Sequence, residues 1–415
     1  ITRFFPGKKI DEIREDFYSI STLIILSTTS FSIVLYFFPL PLANAIFDGE
    51  VIVVKLTSII IFVRCVDQLF IEVFRAFREM KKYTILDVST RYGEIGLATI
   101  LVLIGYGLVG ALIAVIIARG FLFLFLVLLI RKKIPFTFPK FKNIKEYLKF
   151  GLPTIPSTFS YWIIKTSDRY LIGFFLGTTF VGYYAPGYAL GNMVPYMIVG
   201  ILGFVLTPTL SSYYDENNIP MIKSVLNLCM KYFLLFSIPY LIGAILLGRS
   251  LLVFLTTTEI AKEGYIILYF SGLAAIFYGI KVIFQQILLL KKMTKLIASF
   301  HFIAAIVNLT GNIYLIPRIG MIAAGITTSL SYFLSMCLTI YFAYRELTIK
   351  INYKSIINVI ISSLLMGITV YLLRLYIWSN LFFLITIGTG AYFFVLYIIG
   401  GIKKNEINYL KDIIG

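Results

Sequence analysis

Stretches of about 20 apolar residues return along this chain at short intervals, and no other feature restricts the fold so strongly. A helix of that length matches the hydrocarbon thickness of a bilayer, and within the bilayer every backbone amide must be paired inside the protein. Twelve such stretches are legible, near 19–38, 51–74, 83–104, 108–130, 148–175, 183–206, 226–247, 265–289, 296–316, 321–344, 355–376 and 381–402. Only 14% of the 415 residues are charged, against about 25% in a soluble domain. The sequence therefore predicts an all-α polytopic membrane protein of about 12 transmembrane helices, with no sizeable soluble domain. Cys65, Cys229 and Cys337 stand far apart and the chain has one histidine, so neither a disulfide framework nor a metal site is expected. The first residues lack the order of charged, apolar and small-residue regions that marks a signal peptide.

The basic residues orient the helices. With twelve spans the two visible ends share a side, and the loops on that side hold 25 of the 37 Lys and Arg residues. The opposite loops hold only Arg249, Lys262 and Arg318. By the positive-inside rule both visible termini are expected in the cytoplasm, in the cell membrane. A missed span would invert every later loop and erase the asymmetry. The net charge of +17 is thus read as sorting across a bilayer, and no nucleic-acid partner is expected. The longest linker, 131–149, is basic and contains Pro135 and Pro139 before a short amphipathic stretch ending at Lys149. It is expected to join two bundles and to lie along anionic headgroups.

Nine cations remain within or near the spans: Lys55, Arg64, Arg91, Arg119, Lys165, Arg169, Lys231, Lys281 and Arg374. A central Arg or Lys costs about 2.5 to 3.5 kcal/mol on insertion scales, so these side chains are expected to face protein or water rather than lipid. Three helices carry opposite charges three residues apart, Arg64 with Asp67, Arg91 with Glu94, and Lys165 with Asp168, a spacing that shares a helical face. Two readings stay open: internal ion pairs that reduce insertion cost, or part of an anion site. Arg119 and Lys281 have no local carboxylate, which favours the second. The predicted depths run from Lys281 and Arg91 in the cytoplasmic third, through Arg64 and Arg119, to Lys165 and Arg169 in the outer half. These six are the candidate substrate-binding residues of a hydrated cationic cavity, with Asp67, Glu94 and Asp168 as supporting ion pairs, because Arg and Lys make charge-assisted hydrogen bonds to phosphate. His301, with Asn308 and Asn312 at i+7 and i+11, reads either as a proton relay or as a polar packing stripe. Pro186, Gly187, Gly191, Pro195 and Gly200 punctuate one span, and interrupted helices are common near transporter sites.

Two groups of segments carry a family resemblance. Leu148-Lys-Phe-Gly-Leu-Pro-Thr-Ile-Pro-Ser157, then Thr166-Ser-Asp-Arg-Tyr-Leu-Ile-Gly173 and Gly182-Tyr-Tyr-Ala-Pro-Gly-Tyr188, resemble the seventh and eighth helices of the polysaccharide transporters. Asn308-Leu-Thr-Gly-Asn312 through Ile316-Pro-Arg-Ile-Gly320 and Ala323-Ala-Gly-Ile-Thr-Thr328 resemble the eleventh helix, its turn and the twelfth. The chain is thereby similar to the Wzx-type oligosaccharide-lipid flippases of the multidrug/oligosaccharidyl-lipid/polysaccharide exporter superfamily. The resemblance implies a two-lobed, V-shaped bundle and alternating access. It also implies translocation of an undecaprenyl- or dolichyl-pyrophosphate-linked oligosaccharide from the cytoplasmic to the outer leaflet, with no enzymatic step. It implies, too, no cofactor beyond coupling to protons or sodium, a monomer, and glycosyltransferases or a polymerase as pathway partners. Asp168 and Arg169 match the family's Ser-Asp-Arg. The first span matches the family's third, so the resemblance implies a chain lacking the first two helices. The expected organisation is an N-terminal lobe of four helices at 1–130, a linker at 131–147, a six-helix lobe at 148–345, and two extra helices with a tail at 346–415. Competing readings are an exporter of drugs or lipid II, or a membrane polymerase or glycosyltransferase. Six cations against three carboxylates favour anionic cargo over a cationic drug, and the loops are too short for a catalytic domain.

Overall fold

The computed structural model describes residues 10–401 apart from 48, 78, 153–154, 350–351 and 377–379. The segment matched to the exit of the family's second helix, with Arg3, Lys8 and Lys9, lies outside the described residues. So do Arg78, Pro153, Lys350 and the tail with Lys403, Lys404 and Lys411. The described residues form fourteen α-helices and no strand: α1 (Ile10–Phe37), α2 (Leu40–Ile46), α3 (Val51–Ala76), α4 (Met80–Leu101), α5 (Gly107–Lys133), α6 (Ile144–Gly151), α7 (Ile155–Leu176), α8 (Thr178–Asp215), α9 (Ile219–Leu255), α10 (Thr258–Leu290), α11 (Thr294–Ile319), α12 (Ile322–Glu346), α13 (Tyr353–Tyr376) and α14 (Leu381–Ile398). A π-helical turn, Val102–Tyr106, joins α4 to α5.

Each of the twelve expected spans falls on a long helix. Among the described residues, nine helical stretches are long and apolar enough to cross a membrane by length and composition. One of them, Lys81–Arg131, is two passes: Gly105 and Gly107 adopt positive φ, 103° and 51°, and α4 packs back against α5. Only glycine takes such conformations without cost. α3 and α7 fall outside the nine because each carries three charged residues in its apolar length, Lys55, Arg64 and Asp67 in one and Lys165, Asp168 and Arg169 in the other.

The chain divides into two compact units, Ile1–Thr154 and Ile155–Gly415. In the first, α3 packs against α1, α4 and α5, over a core that includes Phe17, Ile71, Phe74, Leu122, Leu126 and Ile130. The basic linker is laced to α1: Arg14 donates to the carbonyls of Pro135 and Phe136 at 3.1 and 3.2 Å, and Asn143 donates to Asp16 at 3.0 Å. The backbone amides of Lys140 and Phe141 donate to Ser19 Oγ. The expected amphipathic stretch is α6.

In the second unit α10 is central, packed by α8, α9 and α12, while α11 packs on α7 and α12, and α13 and α14 pack with α9. Lipid is as apolar as leucine, so these helices associate through close packing and polar contacts rather than hydrophobic exclusion. Gly187 and Gly191 of α8 show how. A Cβ at Gly187 would overlap the carbonyl of Gly264, and one at Gly191 would overlap Ser271 and the carbonyl of Leu268. The expected interruption is therefore not there: α8 runs unbroken, and its glycines serve close approach to α10 instead.

Candidate functional site

In the first unit Arg64 of α3, Arg91 of α4 and Arg119 of α5 open onto one cleft of about 660 Å³, with Gln68, Glu72 and Glu94 on its wall. The ion pairs differ from those expected. Arg119 donates to Asp67 at 2.9 Å and to Glu94, crossing between helices, and its side chain is only 12% exposed. Arg91 pairs with Asp87, one helical turn earlier, at 2.9 Å. Arg64 lies 3.7 Å from Glu94, beyond hydrogen-bond length, with half of its side chain exposed. The three-residue spacing does put Arg64 and Asp67 near one face, but a 60° angular offset separates them. That offset turns Asp67 into the α5 contact and leaves Arg64 in the cleft. Arg119, which lacks a local carboxylate, thus has two through tertiary packing.

At the foot of this unit, outside the spans, Lys133 and Lys82 both reach Glu79. Their hydrogen bonds hold the Glu79 carboxyl below the usual carboxylate range.

The second unit treats its cations differently. None of Lys165, Arg169 and Lys281 has a carboxylate within ion-pair distance among the described residues; aromatic rings surround them. Lys165 Nζ lies 5.7 Å from the Tyr161 ring and 6.0 Å from that of Tyr196, and the Arg169 guanidinium lies 4.7 Å from that of Tyr188. Asp168 is fully buried and accepts from the hydroxyl of Tyr184 and from the backbone amide of Arg169. The expected Lys165 to Asp168 pair is replaced by these contacts, because Asp168 turns inward toward α8 while Lys165 stays exposed.

The expected stripe on α11 divides. Asn308 and Asn312, both fully buried, join a network across α7, α11 and α12. Ser167 donates to Asn308 Oδ1 at 3.4 Å, Asn308 donates to Thr328 at 3.1 Å, Asn312 donates to Asn308 at 3.3 Å, and Thr327 donates to Asn312. His301 instead meets Lys281 and, edge-on, Tyr161. The structure thus gathers Arg64, Arg91 and Arg119 into one cleft, and Tyr161 touches both Lys165 and the His301 ring that meets Lys281. Asp87, Tyr184 and the tyrosine set were not singled out from sequence. Asp87 was legible as the i−4 partner of Arg91; the tyrosines were not, since 29 of them are scattered through the chain.

With this geometry in hand, the profile of a family described as "Polysaccharide biosynthesis protein" matches residues 7–262, more than half of the chain. The chain belongs to that family. A curated relative from Haloferax volcanii, named a probable low-salt glycan biosynthesis flippase, is 23% identical over 229 residues, covering 55% of this chain. The chain spans about half the length of that relative, 48%. Among solved structures, the lipid II flippase MurJ in an inward closed conformation superposes with a TM-score of 0.75 at 18% identity, covering 99% of this chain and 87% of that one. A MOP superfamily transporter from Pyrococcus furiosus gives 0.54 at 12% identity, covering 80% of this chain and 79% of that one. At these identities the likeness is one of fold: this member of the polysaccharide biosynthesis family has the membrane-transporter architecture that the helices imply.

Proposed function

We propose that the protein is a membrane flippase that moves a lipid-diphosphate-linked oligosaccharide from the cytoplasmic to the outer leaflet by alternating access, for assembly of a surface glycan. The observation that carries this reading is the cleft in which three arginines from three different membrane helices converge. Arg119 occupies both Asp67 and Glu94, which leaves for a ligand the half-exposed Arg64 and the terminal nitrogens of Arg91, whose Nε alone is bonded to Asp87. A guanidinium matches two phosphate oxygens at once, where an ammonium offers a point charge. Family membership and the name of the Haloferax relative support the cargo class. Lys165 and Arg169 offer anion contacts of their own in the second unit. No covalent bond changes in the cycle, so the protein acts as a transporter rather than an enzyme. Both visible termini are cytoplasmic in this reading, the protein works as a monomer in the cell membrane, and the pathway's glycosyltransferases or polymerase supply and consume its cargo.

Complementation tests the proposal. In a strain lacking its own oligosaccharide-lipid flippase, the protein is expected to restore surface glycan. Arg64→Ala and Arg91→Ala are each expected to lower that recovery about tenfold, the loss of one charge-assisted hydrogen bond. Full recovery by the double variant, or export of a cationic dye with no glycan recovery, would overturn it.

A further inference from the structure

Lys281 of α10 and His301 of α11 form a pair that none of the roles above uses. The Lys281 side chain is 1% exposed, and its Nζ lies 2.7 Å from His301 Nε2. The imidazole is the partly exposed member. An ammonium has protons to give and no lone pair, so with Lys281 charged Nζ donates, Nε2 accepts, and a neutral imidazole carries its own proton on Nδ1. Among the described residues no carboxylate lies within ion-pair distance of either side chain. α9 and α11 carry no Asp or Glu, and the acidic residues of α10, Glu259 and Glu263, stand at least 18 residues from Lys281, about 27 Å along the helix. The ring network around the pair joins Tyr161 of α7, Tyr196 of α8, Tyr278 of α10 and Tyr332 of α12, with Lys165 against Tyr161 and Tyr196; the carboxylates on the packed helices are Asp168 of α7 and, at the last residues of α8 and α12, Asp215 and Glu346, while α9 brings Lys231. The Tyr278 ring lies 5.9 Å from Lys281 Nζ and packs in turn, tilted, against Tyr332 and, edge-on, against Tyr196. Asp168 is bonded to Tyr184, and Lys231 lies 5.8 Å from the Tyr232 ring.

We propose that Lys281 and His301 form a proton-binding site, a pair of bases that share one excess proton and through which the protein couples cargo movement to a proton gradient. This deepens the flippase reading and rests on it. Uptake of a second proton forms an N–H bond at Nε2 from the imidazole lone pair and breaks the hydrogen bond from Nζ. Two cations then stand in contact in a site with no carboxylate, and the pair must separate or admit water. Release of that proton restores the bond. The partly exposed imidazole is the member that takes up and gives off the proton, and the buried ammonium makes its charge state matter to the packing of α10 against α11.

Because His301 is the chain's one histidine, nitrogen-15 histidine labelling reads its state directly in the intact protein. The spectrum at neutral pH is expected to show a neutral imidazole protonated on Nδ1; an imidazolium, or the Nε2 tautomer, would overturn the pair. The coupling is read in proteoliposomes with a fluorescent short-chain polyprenyl-diphosphate disaccharide as probe. With the outer face acidic, outward accumulation is expected to reach about tenfold per pH unit, one proton per cargo. His301→Gln keeps an acceptor for Lys281 but no protonatable nitrogen, and its accumulation is expected to stay near one. An unaltered gradient response in this variant would overturn the proposal. Wild-type flipping that ignores the gradient would overturn the proton site and leave the flippase standing, whereas no flipping under any condition would overturn the flippase reading while the histidine spectrum still judges the pair.

Discussion

The two units solve the same problem, cations among apolar helices, in different ways. In the first, Arg119 is locked by Asp67 and Glu94 from two other helices, so its charge is spent on holding α3, α4 and α5 in register. In the second, Lys165 and Arg169 lie against tyrosine rings, which stabilise a cation without neutralising it. A ring offers a negative face but no net charge, so the second unit keeps its positive potential while the first keeps its geometry. The difference teaches that a cation count alone does not locate an anion site: what matters is which cations still carry net charge after packing.

The largest expected effect breaks the first half of the comparison. Arg119→Met strands the buried Asp67 carboxylate and is expected to destabilise the protein by about 3–5 kcal/mol, whereas the double variant with Asp67→Ala regains most of the loss. Thermal unfolding in detergent reads both. Equal losses in single and double variants would show that the pair does not act as a unit. Next, Gly191→Val presses a side chain into α10 and is expected to cost about 1–3 kcal/mol as overpacking, measured the same way. It asks whether the second unit depends on backbone approach as the first depends on ion pairs.

Smaller still, Lys165→Ala is expected to change stability by no more than about 1 kcal/mol, the size of an exposed cation–π contact, while lowering glycan recovery in the complementation assay. A large stability loss without a transport loss would make Lys165 a packing residue like Arg119. The smallest effect is in pH. Because the Glu79 carboxyl is held below its ordinary value by Lys133 and Lys82, its contribution is fully present above the unfolded carboxylate range, near pH 4 to 5. It fades as pH falls through the lowered folded value. Unfolding midpoints at pH 7 and pH 3.5, compared with those of Glu79→Gln, read it; the variant is expected to flatten that part of the profile.

Much of the architecture was legible before any coordinates. All twelve apolar stretches became helices, and the short amphipathic segment near Glu146 became α6, because periods of apolar and polar residues are local properties. The candidate site was legible only as a set of residue types. That Arg64, Asp67, Arg91, Glu94 and Arg119 matter could be read from their cost in a membrane; that Asp67 and Glu94 both serve Arg119, 52 and 25 residues away, could not. Helical spacing names neighbours on one cylinder and says nothing about which helix lies opposite. The same limit hid the role of Gly187 and Gly191, whose missing side chains suggested a break until α10 was seen against them.

Length, hydrophobic periodicity and sparse charge determined by themselves that this chain folds as a membrane bundle, since a bilayer leaves a backbone few other choices. Tertiary structure alone decided which charges cancel and which survive. A side-chain pair such as Lys281 and His301, brought from two helices to 2.7 Å, exists in neither residue's own stretch of sequence. The reason is physical: electrostatic energy depends on distance in space and on burial, and both are set only when helices far apart in the chain pack together.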